Sequence, residues 1–137
     1  MKYLLILCFA IISNVFFAQN KAEKYFGFGI QVDHQTWKIE VQKNKNGSYK
    51  INYPDIPCSS VWKFAENLKD IYPVEEGVNY SIAQEKLTTG EDKCMNDSWV
   101  LLVDEKLSKT TKRFYLFETE HHSKPYAYGF LELETEE

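Results

Sequence analysis

Apolar and polar residues alternate along most of this chain. In Trp37-Lys38-Ile39-Glu40-Val41-Gln42 the alternation is strict. Successive strand side chains point to opposite sides, so this pattern gives a strand with one apolar face. Asn44-Lys45-Asn46-Gly47 follows, and Asn-Gly marks a tight hairpin turn. Tyr49-Lys50-Ile51-Asn52-Tyr53 alternates again, which predicts pairing of Trp37, Ile39 and Val41 with Tyr49, Ile51 and Tyr53 on a shared face. Pro54 and Pro57 end that strand and frame a corner. Cys58 to Phe64 reads as the next strand, with Cys58, Ser60, Trp62 and Phe64 on one side.

Further strand patterns run over Val78–Leu87, Ser98–Val103, Arg113–Glu118 and Tyr126–Leu133. In the third of these Phe114 and Leu116 share one side, with Tyr115 and Phe117 on the other. Phe26-Gly27-Phe28-Gly29 makes a first strand, with glycines where the sheet bends or another backbone approaches. Ala65 to Gly77 is a longer connection with room for a helical turn, and Thr88 to Ser98 is a polar loop. Asp33-His34 and His121-His122 read as turns. About eight short strands with turn chemistry between them, and no amphipathic helix, predict an all-β fold: a small antiparallel meander barrel, lipocalin-like, with a sandwich as the second choice.

The N-terminal segment breaks the alternation. After Lys2, residues 3–12 are an unbroken apolar run, and Ala18 closes the stretch. A positive start, roughly ten apolar residues and a small exit residue describe a secretory signal peptide. A membrane-spanning helix needs about 20 apolar residues, so no transmembrane segment is expected after cleavage. Residues 1–18 are thus read as the leader, with Cys8 an ordinary apolar member of it. Residues 19–137 are read as a single exported domain, periplasmic, on the outer surface or secreted. Two cysteines remain, Cys58 and Cys94. Thiols oxidise in such compartments, so one disulfide is expected. It adds about 4 kcal/mol in the chain-entropy model.

The formal net charge is −4, and acidic residues gather at the C-terminal end in Glu132, Glu134, Glu136 and Glu137. A phosphate-binding surface must be basic, so nucleic acid is not expected as a partner. No Gly-x-Ser-x-Gly elbow and no glycine-rich phosphate loop occur. A paired Cys58 and Cys94 leave no free thiol for covalent catalysis. The three histidines show no ligand spacing, and neighbours such as His121 and His122 point apart on a strand. Neither metal nor cofactor is expected.

Tyr53-Pro54, Cys58-Ser59 and Trp62, then Glu85-Lys86-Leu87 with Gly90 and Cys94, form a pattern together with Ala127, Gly129 and Leu131. It resembles small bacterial extracytoplasmic domains that read Tyr-Pro-x-Leu-x-Cys-x-Gly-x-Trp, then Glu-x-Ile-x-x-Gly-x-x-x-Cys, then Ala-x-Gly-x-Leu. The likeness runs from Tyr49 to Leu133. It departs at Ile56 in place of Leu, Ser60 in place of Gly and Leu87 in place of Ile. The resemblance implies a compact β-domain and supports the Cys58–Cys94 bridge; it transfers no catalytic residue.

Glu85 is the best single candidate for a special role. A buried glutamate there needs donors, and a tyrosine, a tryptophan indole or Arg113 would serve. Catalysis would need a second acid or base nearby, and the sequence identifies none. Trp37, Trp62, Trp99, Tyr49, Tyr53, Tyr126 and Tyr128 either fill a barrel or form an exposed patch. Trp37, Tyr53, Trp62, Glu85 and Trp99 are therefore the candidate ligand or partner surface. The leading expectation is a non-enzymatic binding or interaction domain with a protein partner. The alternatives are a carrier of a small apolar ligand inside the barrel, and a hydrolase-type enzyme using Glu85. A filled core with an exposed patch, an internal cavity, or Glu85 in an open cleft beside a second polar group separates the three.

Overall fold

A computed structural model describes residues 22–65, 76–118 and 123–135. The leader, most of the connection after Ala65, His121, His122 and the last two glutamates lie outside the described residues. Within them the chain is all-β, with eight strands and no helix: β1 (Lys24–Gln31), β2 (Thr36–Lys43), β3 (Tyr49–Tyr53), β4 (Cys58–Phe64), β5 (Tyr80–Thr89), β6 (Trp99–Asp104), β7 (Thr111–Phe117) and β8 (Ala127–Leu133). Each strand pairs antiparallel with the next, and β8 closes on β1. The fold is a meander barrel, not a sandwich.

The alternation seen in the sequence is the inside–outside alternation of this wall. Tyr49, Ile51 and Tyr53 of β3 are buried, whereas Lys50 and Asn52 between them are exposed. The β2–β3 turn closes through the Gly47 amide donating to the Asn44 carbonyl at 3.1 Å, with Gly47 at φ 85°. β6 departs from simple alternation. Val100 and Leu102 face the barrel core, while Leu101 and Val103 join Ile82, Phe117, Trp99 and Tyr115 in a second apolar cluster on the outer face of β5–β7. Both faces of β6 are covered, so its sequence reads as a continuous apolar run.

Aromatic rings fill the barrel. Trp62 and Phe114 are completely buried, with ring centroids 5.9 Å apart. Trp37 lies 5.9 Å from Phe114 and meets Tyr53 edge-on at 5.3 Å. Two glycines make room for this filling. Gly29 of β1 and Gly129 of β8 face one another in register. A Cβ on Gly29 would lie 2.3 Å from the Trp37 ring, and one on Gly129 would lie 2.7 Å from Phe114.

Cys58 and Cys94 are bonded, with their Cα atoms 6.5 Å apart. The bridge ties the first residue of β4 to the β5–β6 loop at one end of the barrel. β5 continues to Thr89, so that loop starts at Gly90 rather than at Thr88. Gly90 has φ 82°, and a Cβ there would lie 2.5 Å from the Pro57 carbonyl oxygen. Only glycine fits beside the bridge.

Candidate functional site

The end of the barrel that carries the disulfide is open. A depression of about 520 Å³ is lined there by Gln31, Asp33 and Gln35 near the β1–β2 turn, by Lys93 and Met95 of the β5–β6 loop, and by Trp37, Tyr53, Glu85 and Tyr126 on its floor and walls. The order of strands explains the gathering. β4 and β5 are neighbours with Trp62 opposite Glu85, and β3 pairs with β4 so that Tyr53 stands opposite Cys58. Inward positions on three successive strands thus converge on one carboxylate.

Glu85 is 3% exposed. Its Oε2 accepts from the Tyr53 hydroxyl at 2.5 Å, the Ser60 hydroxyl at 2.8 Å and the Trp62 indole N–H at 2.8 Å. Two of the three donor classes expected from the sequence are present. Arg113 is not among them: it points outward from β7 and pairs with Glu105, because its position in the strand alternates with the inward Phe114. Ser60 replaces a glycine of the resembling pattern, and its hydroxyl supplies the third donor. The backbone is equally committed: the Glu85 N–H donates to the Ser98 carbonyl at 2.8 Å, and its carbonyl accepts from Asp97 at 3.1 Å. Burial and then the Glu85 carboxylate push the Tyr53 phenol well above its ordinary value, so it stays a donor. The Tyr126 phenol is raised by the same two causes, with a 2.7 Å bond to Ser98 opposing them.

Four of the five candidate surface residues, Trp37, Tyr53, Trp62 and Glu85, therefore come together inside the barrel. Trp99 does not. It sits on the outer face of β6 in the second cluster, since it is one residue out of step with the inward Val100. Tyr49 and Tyr126 face inward, and Tyr128 stands outside.

A second feature escaped the sequence reading. Phe26, Phe28, Tyr128 and Phe130 are 43–62% exposed on the outer faces of β1 and β8. Register places Phe28 opposite Phe130, with Lys38 and Arg113 at the two ends of that row. The next row places Phe26 between Glu40 and Glu132. On the other side, Ile30 and Tyr128 pair beside Thr36 and Tyr115. The signal was present as aromatics two residues apart in Phe26-Gly27-Phe28 and Tyr128-Gly129-Phe130. Only the closure of β8 on β1 joins the two halves. A groove of about 380 Å³ runs beside them, lined by Phe26, Phe28, Lys38, Glu40, Pro54 and Phe130.

Among the described residues, no group of three or more histidines, cysteines and acids converges as a metal site. No family of known proteins, no curated protein and no solved structure matches this chain.

Proposed function

We propose that this chain is an exported, non-enzymatic interaction domain that holds a protein partner on the aromatic strip of β1 and β8. The observation that carries this reading is the exposure of four large aromatic side chains, Phe26, Phe28, Tyr128 and Phe130, side by side on one wall. Contiguous exposed apolar area of this kind is characteristic of interaction sites, and aromatic residues dominate their energetics. Rows of cations (Lys38, Arg113) and anions (Glu40, Glu132) flank the strip. An apolar centre with a charged rim is the usual anatomy of a protein interface, and the charges fix the partner's register. The disulfide agrees with an exported location, and the leader-like residues 1–18 supply the route.

The filled barrel argues against a carrier of apolar ligands, since Trp37, Trp62 and Phe114 occupy the space a calyx would need. The Tyr53 phenol bonded to Glu85 is held protonated by burial and by that carboxylate, which argues against its serving as the second group of a general acid–base pair. Native mass spectrometry of the mature protein, purified gently from its own source, tests the proposal. The expected result is a second polypeptide, another copy included, whose association is lost on Phe28→Ser with Phe130→Ser. A small bound molecule that persists in that double variant would move the protein to the carrier class. A bare monomer under cross-linking conditions would overturn the interaction reading.

A further inference from the structure

Glu85 has a second oxygen. Oε2 takes all three hydrogen bonds given to this carboxylate, and among the described residues nothing donates to Oε1. No lysine or arginine among the described ion pairs reaches it either. A buried carboxylate ordinarily has a cationic partner as well as hydrogen bonds. Here the donors are neutral, and the residue lines the floor of the depression at the open end of the barrel.

We propose that this depression is a binding site for the ammonium group of a primary alkylammonium ligand, with Glu85 Oε1 as its anion. The three neutral donors hold the carboxylate in place through Oε2 and leave Oε1 without a donor among the described residues, on a side chain that lines the depression. One oxygen suits a compact point charge. A guanidinium prefers both oxygens in a bidentate pair, and Oε2 is already taken. A hard divalent cation needs about six oxygen ligands, and among the described residues no group of three or more histidines, cysteines and acids gathers to supply them.

The walls fit the same ligand. Trp37, Tyr53 and Tyr126 line the depression around Glu85, and aromatic faces attract ammonium groups at such distances as a ring wall allows. Trp37 and Tyr53 meet edge-on at 5.3 Å, so each is held by the other. Gln31 and Gln35 at the rim offer carbonyl oxygens to the remaining N–H donors; Asp33 and Lys93 also line the depression, so besides Glu85 it carries one charge of each sign. An unbranched alkyl chain lets the ammonium pass these residues and reach the floor. The same chemistry comes from a lysine side chain of a protein or from a free diamine. This site is separate from the strip on β1 and β8: it lies at the end of the barrel, and the strip lies on its wall.

The test is an NMR titration of the mature, disulfide-bonded protein that follows the Trp37 indole resonance. The probes are Nα-acetyl-lysine-N-methylamide, cadaverine and, as the uncharged control, Nα-acetyl-norleucine-N-methylamide. The two amines should give saturable shifts at millimolar concentration or below, and the control should give none. Tighter binding of the lysine amide assigns the site to a protein side chain, and tighter binding of cadaverine assigns it to a free amine. Glu85→Gln should weaken amine binding by about tenfold or more, the range for removing one member of a buried charge pair. Gln35→Lys places a competing cation on the exposed rim without touching the barrel interior, and it should weaken binding in the same direction. Equal shifts from the norleucine control, or amine binding unchanged by both variants, would overturn the proposal. So would the absence of any saturable shift in a protein whose fold is intact.

Discussion

Glu85 and Phe28 stand on opposite sides of one eight-stranded wall, and each is on the side its chemistry disfavours. A carboxylate lies inside among aromatic rings, and a phenylalanine that is 62% exposed lies outside among charges. Buried polar groups and exposed apolar patches are the informative departures from the usual distribution. The two departures differ in how they are stabilised. Glu85 is held by three donors within the chain, so removing it disturbs the fold. Phe28 and Phe130 stand in water and contribute little to the fold, so removing them should disturb only what the wall meets. One region is part of the architecture, and the other is free for association.

That contrast can be broken from the inside most forcefully. Trp62→Ala removes a fully buried ring and one of the three donors, and should cost about 3–5 kcal/mol in a urea or guanidinium unfolding experiment. Opening the disulfide by Cys58→Ser with Cys94→Ser should cost about 2–4 kcal/mol, read in the same way. A smaller effect sharpens the view of the polar knot. Ser60→Ala should cost roughly 1 kcal/mol. A double-mutant cycle of Ser60→Ala with Glu85→Gln should show a coupling of about 0.5–3 kcal/mol; strict additivity would mean that the hydroxyl and the carboxylate act independently.

Alkali provides a further probe of the interior. Burial and the Glu85 carboxylate raise the Tyr53 phenol well above 10. A tyrosine in the unfolded chain titrates near 10. The unfolded state therefore loses its proton first, so the stabilising contribution is complete below about pH 10 and is lost as pH rises toward the folded value. Unfolding midpoints should hold steady up to that pH and then decline. Tyr53→Phe should flatten the decline, and an equal decline in the variant would assign it to other groups. The smallest effect belongs to the outer wall. Phe28→Ser and Phe130→Ser should each change stability by no more than about 0.5 kcal/mol while removing association. A loss of several kcal/mol would show that the strip is packed by the chain itself.

Much of the barrel is legible in the sequence. Period-two patterning in β2, β3 and β7, the Asn46-Gly47 turn and the prolines at 54 and 57 located strands and corners, because one face of each strand must avoid water. β6 was legible as a strand but not as one covered on both sides, since an unbroken apolar run does not say which neighbour lies on which face. Glu85 was legible as a candidate, and a tyrosine and an indole were named as donor types. Ser60 was legible as sharing a strand face with Trp62 and as a departure from a pattern, but not as a donor to Glu85. Its role depends on the β4–β5 register, which local sequence does not fix.

What the sequence determined by itself is local: which residues extend, which faces are apolar, where the chain turns and which two cysteines are available to pair. These follow from side-chain period and backbone sterics within a few residues. What only the tertiary structure decided is which distant positions meet. Closure of β8 on β1 placed Phe130 beside Phe28, and the neighbouring of β3, β4 and β5 brought Tyr53, Ser60 and Trp62 to one oxygen of Glu85. Such meetings depend on long-range pairing and barrel closure, where the gain comes from burying many strands at once rather than from any short segment.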